Sequence, residues 1–198
     1  MTRVTAQWVL VWSRSIASLA AVAWLVAGAA PDLRAGEQRQ TGQLERTIDD
    51  VAKRWPNVRH VPGDDVARMM TEKSAVLFDV RTEQEYGVSH LEGAIRVDPA
   101  IDSADFLQAH GAAVKGKTAV FYCSVGVRSS KLAERVGQGL KVAGALGTQN
   151  LRGGIFAWHQ DGRQLFDAKG AIDLVHPYDQ SWGKAIKRQE SISTEGRP

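Results

Sequence analysis

Cysteine is nearly absent from this sequence. One cysteine in 198 residues excludes an internal disulfide, a zinc cluster built on cysteines and a Cys-x-x-Cys redox pair. The five histidines are scattered without the spacing of metal ligands, so the sequence predicts no metal site and no cofactor. With 6 prolines and 19 glycines, the chain has too few of either for a low-complexity linker protein. The remaining composition, 43% hydrophobic and 24% charged, is typical of a globular protein.

An excess of charge of one sign is also missing. The chain has 25 basic and 22 acidic residues, which gives a net charge of +3. Its densest basic group, Lys184, Lys187 and Arg188, is small and predicts a solvated tail. A nucleic-acid-binding face concentrates Lys and Arg on one stripe. The sequence therefore predicts no nucleic-acid partner.

A long uncharged run stands near the N-terminus. Residues 15–30 carry no charge, and two arginines are the only charges before them. The run is shorter than the roughly 20 apolar residues of a bilayer-spanning helix. It ends in small residues, with Ala27 and Ala29 at the positions that signal peptidases require. We predict that residues 1–29 are a signal peptide and that the domain is periplasmic or exported. The main alternative is an uncleaved membrane anchor with the domain facing the periplasm, and only this alternative gives the protein a membrane partner. The third interpretation is a cytosolic amphipathic segment.

Residues 30–57 are predicted to be a linker that contains one short amphipathic helix. The segment is polar and irregular at first. Leu44, Ile48, Val51 and Trp55 then fall on one face of a helix, which a proline ends. We expect this face to pack on the core, with a membrane-surface role as the alternative.

Short apolar runs alternate with helical patterns in the body of the chain. The predicted buried strands are Ala75–Val80, Ala94–Val97, Thr118–Tyr122 and Asn150–Leu151. The predicted helices span residues 64–73, 103–114 and 129–143, and a helical turn begins after Thr82. Asp64 is expected to cap the first helix, and Thr82 with Glu85 forms a capping box. This order implies βαβ units and a parallel sheet covered on both faces, with functional loops at the carboxyl ends of the strands.

The single cysteine follows the third predicted strand and precedes a helix. The helix dipole and unpaired backbone N–H groups are expected to lower the pKa of the Cys123 thiol. Arg128 adds a fixed positive charge, and Gly126 lets the loop curl. In this solvent-facing loop, a thiolate can attack sulfur or phosphorus, or hold a sulfane sulfur as a persulfide. The alternative is a small buried cysteine without chemistry.

Five motifs follow one another at spacings that match a known family. They are Asp79-Val80-Arg81, Glu85-Tyr86, His90-Leu91-Glu92-Gly93-Ala94, Cys123 to Ser129, and Leu151-Arg152-Gly153-Gly154 with Trp158. Over roughly residues 58–168, this series resembles the rhodanese-like sulfurtransferases. The resemblance implies a single α/β domain of three layers, with a parallel five-stranded sheet flanked by helices. It also implies that Cys123 accepts sulfur from a small donor and passes it to a thiol, a cyanide-like molecule or a protein.

The resemblance also assigns the residues around the cysteine. The substrate-binding or anion-binding loop is predicted to be Ser124, Val125, Gly126, Val127, Arg128 and Ser129. The supporting residues are predicted to be Asp79, Arg81, Glu85 and His90. Structural roles are favoured for Asp79, for Arg81 paired with Asp79 or Glu85, and for a hydrogen-bonded His90. Because Arg128 is the only charged side chain of the loop, thiosulfate is not assigned as the donor.

Two other classes of function remain as alternatives. Four residues separate Cys123 from Arg128, whereas cysteine-dependent phosphatases have one residue more, and Tyr122 stands where they have histidine. The shorter loop suits a sulfur atom better than a phosphate or arsenate, so a phosphatase or arsenate reductase is less favoured. A sulfur carrier or interaction module without turnover is the second alternative.

The chain continues beyond the motifs. Residues 169–198 are predicted to be a C-terminal extension, with disorder from Glu190 onward. His176, Tyr178 and Trp182 can fold back on the domain or form a partner-binding arm, and the sequence leaves both open.

Overall fold

One parallel sheet of five strands organises the protein in the computed structural model, which describes residues 30–197. The strands are β1 (Arg59–Val61), β2 (Ala75–Asp79), β3 (Ile95–Arg96), β4 (Thr118–Tyr122) and β5 (Gly147–Leu151). Their order across the sheet is β1-β5-β4-β2-β3, and every neighbouring pair is parallel. The predicted α/β fold with a five-stranded parallel sheet is confirmed. The predicted signal peptide or anchor, residues 1–29, lies outside the described residues.

Helices cover both faces of this sheet. They are α1 (Ala30–Arg54), α2 (Gly63–Thr71), α3 (Glu83–Val88), α4 (Ser103–His110), α5 (Val127–Val142), α6 (Gly154–Gln160) and α7 (Gln180–Gly183). Short 3-10 helices span Gly111–Val114 and Gln189–Ser191, and β6 (Leu165–Asp167) pairs antiparallel with β7 (Gly170–Ile172). One apolar cluster includes side chains of α2 and α6, and the other includes those of α4 and α5.

The central strand β4 supplies both clusters. Val120 and Tyr122 point into the first, whereas Ala119 and Phe121 point into the second. All four are fully buried. Successive side chains of a strand face opposite sides of a sheet, so a strand buried on both faces has a continuous apolar sequence. This pattern is the reason why Thr118–Tyr122 is correctly predicted from the sequence.

The helix before the sheet is longer than the sequence analysis expects. The sequence predicts an irregular first half, but the helix runs over 25 residues, Ala30–Arg54. A proline in the first turn does not interrupt a helix, because its missing N–H has no partner there. Leu44 and Ile48 pack in the first apolar cluster, and Val51 packs in the second. The amphipathic face therefore contacts the core.

Two boundaries of the fold differ from the sequence predictions. Asp64 does not cap α2, because Pro62 occupies the N-cap position and Asp64 lies in the first turn, where it binds Arg163. Strand β1 is missed by the sequence analysis. Its sequence Arg-His-Val lacks an apolar run because it lies at the edge of the sheet, where Arg59 is exposed.

The C-terminal extension folds back on the domain. Val175, Ala185 and Ile186 are buried, and Val175 forms a backbone bridge with Ile192. The sequence predicts disorder from Glu190, but the structure gives this end defined contacts, including an ion pair between Arg197 and Asp167. The physical reason is that the backbone N–H of Val175 donates to the Ser191 carbonyl oxygen at 2.8 Å, and the N–H of Ser193 donates to the Val175 carbonyl oxygen at 3.2 Å.

Residues 30–197 contain neither a membrane-spanning helix nor a metal-binding cluster. No helix in this range is both long and apolar enough to cross a bilayer. Across the same residues, no group of three or more His, Cys, Asp or Glu side chains is placed to hold a metal ion.

Candidate active site

The loop after the central strand is fixed by a second helix. The backbone N–H of Ile155 donates to the carbonyl oxygen of Cys123 at 2.9 Å, and that of Phe156 donates to Ser124 at 3.1 Å. These are donors of the first turn of α6, which have no partner within their own helix. A Cβ atom at Gly154 would lie 2.3 Å from the Cys123 carbonyl oxygen, so this close approach requires glycine. Gly154 therefore fixes the backbone that carries the thiol.

The thiol of Cys123 lies at the amino end of α5. Its Sγ atom accepts a hydrogen bond from the backbone N–H of Gly126 at 3.2 Å. Gly126 has a left-handed backbone, with φ 102°, which curls the loop around the sulfur. Burial raises the pKa of the thiol, but the Arg128 guanidinium and hydrogen bonds from Ser129 and Val125 lower it, and the net direction is down. The site therefore favours a thiolate.

The thiol is not solvent-facing, contrary to the sequence prediction. Cys123 is 1% exposed. The loop is enclosed because α6 packs against its backbone, while Tyr178 and Trp182 of the C-terminal extension close its outer side. The sulfur consequently borders a cavity of about 180 Å³ rather than open solvent.

The guanidinium of Arg128 forms a two-point ion pair with Glu85. Nη1 donates to Oε2 at 2.8 Å, and Nη2 donates to Oε1 at 2.7 Å. Nη2 also donates to the hydroxyl of Ser124 at 2.9 Å, and this hydroxyl donates to Glu85 at 3.0 Å. Such two-point pairing fixes the plane of the guanidinium as well as its position. Glu85 therefore determines how Arg128 faces the loop.

Glu85 is itself held by a capping box, as predicted. Its carboxylate accepts the backbone N–H of Thr82 at 3.0 Å, and its own N–H donates to the Thr82 hydroxyl at 3.3 Å. Burial raises the pKa of the carboxyl group, but Arg128 and Thr82 lower it more, to about 2. Glu85 is therefore ionised at neutral pH.

Asp79 and Arg81 form a separate buried pair beneath the site. The Arg81 Nε atom donates to Asp79 Oδ1 at 2.8 Å, and Nη2 donates to Oδ2 and to the Ser89 carbonyl at 2.6 Å each. Both side chains are fully buried. Of the two pairings expected for Arg81, the structure selects Asp79. The pair joins the end of β2 to the segment after α3.

His90 lies away from the cavity. Its ring stacks on Tyr86 with centroids 3.9 Å apart, and its Nδ1 atom hydrogen-bonds the Tyr86 carbonyl at 3.1 Å. The backbone of His90 pairs with Phe166, which attaches the β6–β7 hairpin to the domain. The ring therefore makes the hydrogen bond that the sequence predicts for His90.

The cavity beside Cys123 combines two parts of the chain. Val125, Val127 and Arg128 line it from the cysteine loop and the first turn of α5. Tyr178 and Trp182 line it from the C-terminal extension, and the Arg128 guanidinium lies over the Tyr178 ring, 5.0 Å from its centroid. The site therefore includes aromatic side chains that the sequence analysis did not place there.

The sequence matches the rhodanese-like domain family over residues 63–161. This span is half of the chain and contains the cysteine loop, Glu85 and the buried ion pair. The chain belongs to the rhodanese-like domain family. Val175 and the aromatic side chains of the extension lie beyond the rhodanese-like match.

Relatives of this chain in several bacteria carry the name tRNA uridine(34) hydroxylase. The protein from Bacillus velezensis is 30% identical over 152 residues, which cover 74% of this chain and 44% of the relative. The protein from Oceanobacillus iheyensis is 26% identical with the same coverage. This chain therefore spans less than half of the length of these relatives.

One solved structure that is similar to this chain is the thiosulfate sulfurtransferase from Pseudomonas aeruginosa. It is 18% identical, with a TM-score of 0.48, and the match covers 76% of this chain and 27% of that one. A second is the human single-domain sulfurtransferase, which is 22% identical with a TM-score of 0.38, over 51% of this chain and 95% of that one.

Most predicted site residues lie around the rhodanese-like loop. Ser124, Arg128 and Glu85 form one network next to Cys123, whereas Ser129 donates to Asn150 at 2.6 Å beneath the loop. No pattern in the sequence places Asn150, Tyr178 or Trp182 at the site. The chain continues beyond the family motifs and includes Tyr178 and Trp182, which indicates an additional structural element. The sequence does not show where these aromatic side chains pack.

Proposed function

We propose that the protein is a rhodanese-type sulfurtransferase that carries sulfane sulfur on Cys123. The observation that carries the proposal is a thiol with a lowered pKa at the amino end of α5, beside a cavity of about 180 Å³. A thiolate held by backbone N–H groups is a nucleophile. The same groups stabilise the terminal anion of a persulfide.

The reaction has two half-reactions. In the first, the Cys123 thiolate attacks the outer sulfur of a donor, the donor's sulfur–sulfur bond breaks, and the donor remainder leaves with the electron pair. The product is a persulfide anion on Cys123. In the second, a thiolate or cyanide attacks the outer sulfur and Cys123 leaves as a thiolate. No oxidant, reductant or cofactor is needed.

The arrangement of Arg128 supports sulfur transfer over phosphate chemistry. A guanidinium that binds a phosphate does so through paired N–H groups. Here Arg128 already directs Nη1 and Nη2 to the carboxylate of Glu85. The short loop from Cys123 to Arg128 also favours sulfur transfer over phosphate chemistry.

A carrier without turnover is the alternative within this chemistry. Such a protein would load one sulfur on Cys123 and release it to a protein acceptor. The test combines intact-mass measurement with a turnover assay, using thiosulfate and an organic thiosulfonate as donors and cyanide as acceptor. Loading adds about 32 Da to the protein. Repeated thiocyanate formation supports the enzyme, a single loading supports the carrier, and no adduct with any donor overturns both. Cys123→Ser is the matched control.

Action on a tRNA is a second candidate function, because the named tRNA hydroxylases align with 74% of this chain. The near balance of 25 basic and 22 acidic residues speaks against it. Titration of tRNA at about 50 mM salt tests the point, since phosphate contacts are strongest at low salt. Saturable binding that weakens with salt would favour this candidate.

We also propose that the protein acts outside the cytoplasm, in the periplasm or beyond. The uncharged run with Ala27 and Ala29 supports export. Retention of residues 1–29 would give a membrane-anchored form with the same exported domain. Fractionation of cells that produce the full chain tests this location.

A further inference from the structure

The walls of the cavity beside Cys123 are mainly apolar and aromatic. Val125 and Val127 line one side, and Tyr178 and Trp182 line the other. Trp182 also packs against Phe156, with ring centroids 6.1 Å apart, which attaches it to the core. An apolar or planar group entering this space therefore meets a wall that is already formed.

Tyr178 is positioned by an uncommon backbone conformation. Its φ is 68°, in the left-handed region that residues other than glycine rarely adopt. The turn is stabilised because the Tyr178 N–H donates to His176 Nδ1 at 3.0 Å. This conformation places the ring over Arg128 while half of the residue stays exposed. The ring is therefore available for contact with a ligand.

The cavity offers little free positive charge. Arg128 is the only charged residue among those that line it, and its guanidinium is paired with Glu85 and covered by Tyr178. A doubly charged donor would lose water without gaining a free cation, next to a thiolate of the same sign. The charge balance therefore disfavours an inorganic dianion.

We propose that Tyr178 and Trp182 select an organic sulfur donor, a monoanion with an apolar or aromatic group, over thiosulfate. This inference rests on the proposed sulfurtransferase function. For a thiosulfonate donor, the Cys123 thiolate attacks the outer sulfur, the bond between the two sulfur atoms breaks, and a sulfinate leaves with the electron pair. The aromatic group of the donor packs between Tyr178 and the apolar loop side chains during this step.

The test compares two donors with the same charge and the same type of leaving group. Benzenethiosulfonate and methanethiosulfonate are assayed by thiocyanate formation with cyanide, and thiosulfate is assayed in parallel. Each kcat/KM is divided by the rate of the same donor with a small free thiol, which removes intrinsic reactivity. We expect the full-length protein to prefer the phenyl donor over the methyl donor by tenfold or more, and thiosulfate to be the poorest of the three.

Variants of the half-exposed Tyr178 test whether its ring causes the preference for the phenyl donor. Tyr178→Ala is expected to reduce the phenyl-to-methyl ratio at least fivefold, mainly through KM of the phenyl donor. Tyr178→Phe keeps the ring and is expected to keep the ratio. Val142→Ala, at an 80% exposed position outside the cavity lining, is the matched control. Trp182→Ala is a second variant, and circular dichroism checks its fold because Trp182 packs on the core.

The possible outcomes distinguish a failure of the donor preference from a failure of the proposed sulfurtransferase function. Sulfur loading on Cys123 with equal phenyl and methyl ratios, or with an unchanged ratio in Tyr178→Ala, would overturn the donor preference alone. A higher corrected kcat/KM for thiosulfate than for the phenyl donor would do the same. Absence of a sulfur adduct with every donor would overturn the sulfurtransferase proposal and this inference with it.

Discussion

Arg128 is bound through both outer nitrogens to the carboxylate of Glu85, at 2.8 and 2.7 Å. The two residues are 43 positions apart in the sequence, and the carboxylate is almost fully buried. The positive charge next to Cys123 is therefore partly balanced by a fixed negative charge. The pKa of the Cys123 thiol therefore depends on both Arg128 and Glu85.

Arg128→Ala should raise the pKa of the Cys123 thiol, because the thiolate loses the positive charge of the neighbouring guanidinium. Sulfur loading should slow by on the order of tenfold, the loss expected for one charge-assisted hydrogen bond to the sulfur. Glu85→Gln should shift the pKa of Cys123 in the opposite direction, because it removes the negative charge while keeping a hydrogen-bond acceptor. The rate of alkylation by iodoacetamide against pH measures both. Identical alkylation profiles in wild type and Arg128→Ala, together with equal donor kinetics, would reduce Arg128 to a structural residue.

Glu85 should also make stability depend on pH in the acid range. Its folded-state pKa of about 2 lies below the ordinary value of 4.5, so its contribution is complete above pH 4.5 and is lost as pH falls toward 2. The difference corresponds to on the order of 3 kcal/mol, and solvent access to Arg128 reduces this to about 2 kcal/mol. Urea unfolding from pH 7 to pH 3 should show a steeper loss for wild type than for Glu85→Gln. Parallel curves would contradict the assignment.

Gly154→Ala should damage the cysteine loop. The new Cβ would lie 2.3 Å from the Cys123 carbonyl oxygen, at a residue with φ of 59°. We expect a loss of about 3 kcal/mol, from left-handed strain and from overpacking, and at least a tenfold loss of activity. Gly93→Ala is the control, because its φ is 68° but nothing lies within 4 Å of the new atom. It should cost only about 1 kcal/mol. Equal losses of stability would show that the contact with the loop is unimportant.

Cys123→Ser should fold normally and lose all sulfur transfer. One oxygen replaces one sulfur in a packed loop, and the serine hydroxyl is a far weaker nucleophile at neutral pH. Because Cys123 is the only thiol of the chain, no second cysteine can displace the persulfide, and wild type should show ping-pong kinetics. Circular dichroism and parallel double-reciprocal plots test these points. Transfer by the serine variant would exclude a persulfide on this residue.

Processing of the N-terminus should follow the small-residue pattern. With Ala27 and Ala29 before the cleavage site, the mature protein is expected to begin at Ala30. N-terminal sequencing of protein from its own cell envelope measures this directly. An intact Met1 or Thr2 in a membrane fraction would instead support an uncleaved anchor.

The central strands could be predicted because their burial is visible in the sequence. Thr118–Tyr122 is apolar after its first residue, and Ala75–Asp79 is apolar up to its last, as expected for strands covered on both faces. The capping box could be predicted as well, because Thr82 and Glu85 are only three residues apart in the sequence. Strand β1 is different, because an edge strand with polar residues has no such pattern.

The partners within the site could not be predicted from spacing. Glu85 reaches Arg128 only because α3 and α5 begin at the same end of neighbouring strands, which is a property of the sheet order. Tyr178 reaches Arg128 from 50 positions further along the chain, through a left-handed turn that the sequence does not specify. Contacts of this kind depend on tertiary packing and have no local signal.

The two halves of the cavity differ in how tightly they are packed. The cysteine loop cannot change easily, because Gly126, Gly154 and the strand before it fit together with almost no free space. The extension is anchored by the buried side chains of Val175, Ala185 and Ile186, whereas Tyr178 between them is half exposed. Substitution of Tyr178 therefore changes the wall of the cavity without changing the packing that holds Cys123. The wall that faces the sulfur can thus be remodelled through a short piece of chain while the cysteine loop keeps its geometry.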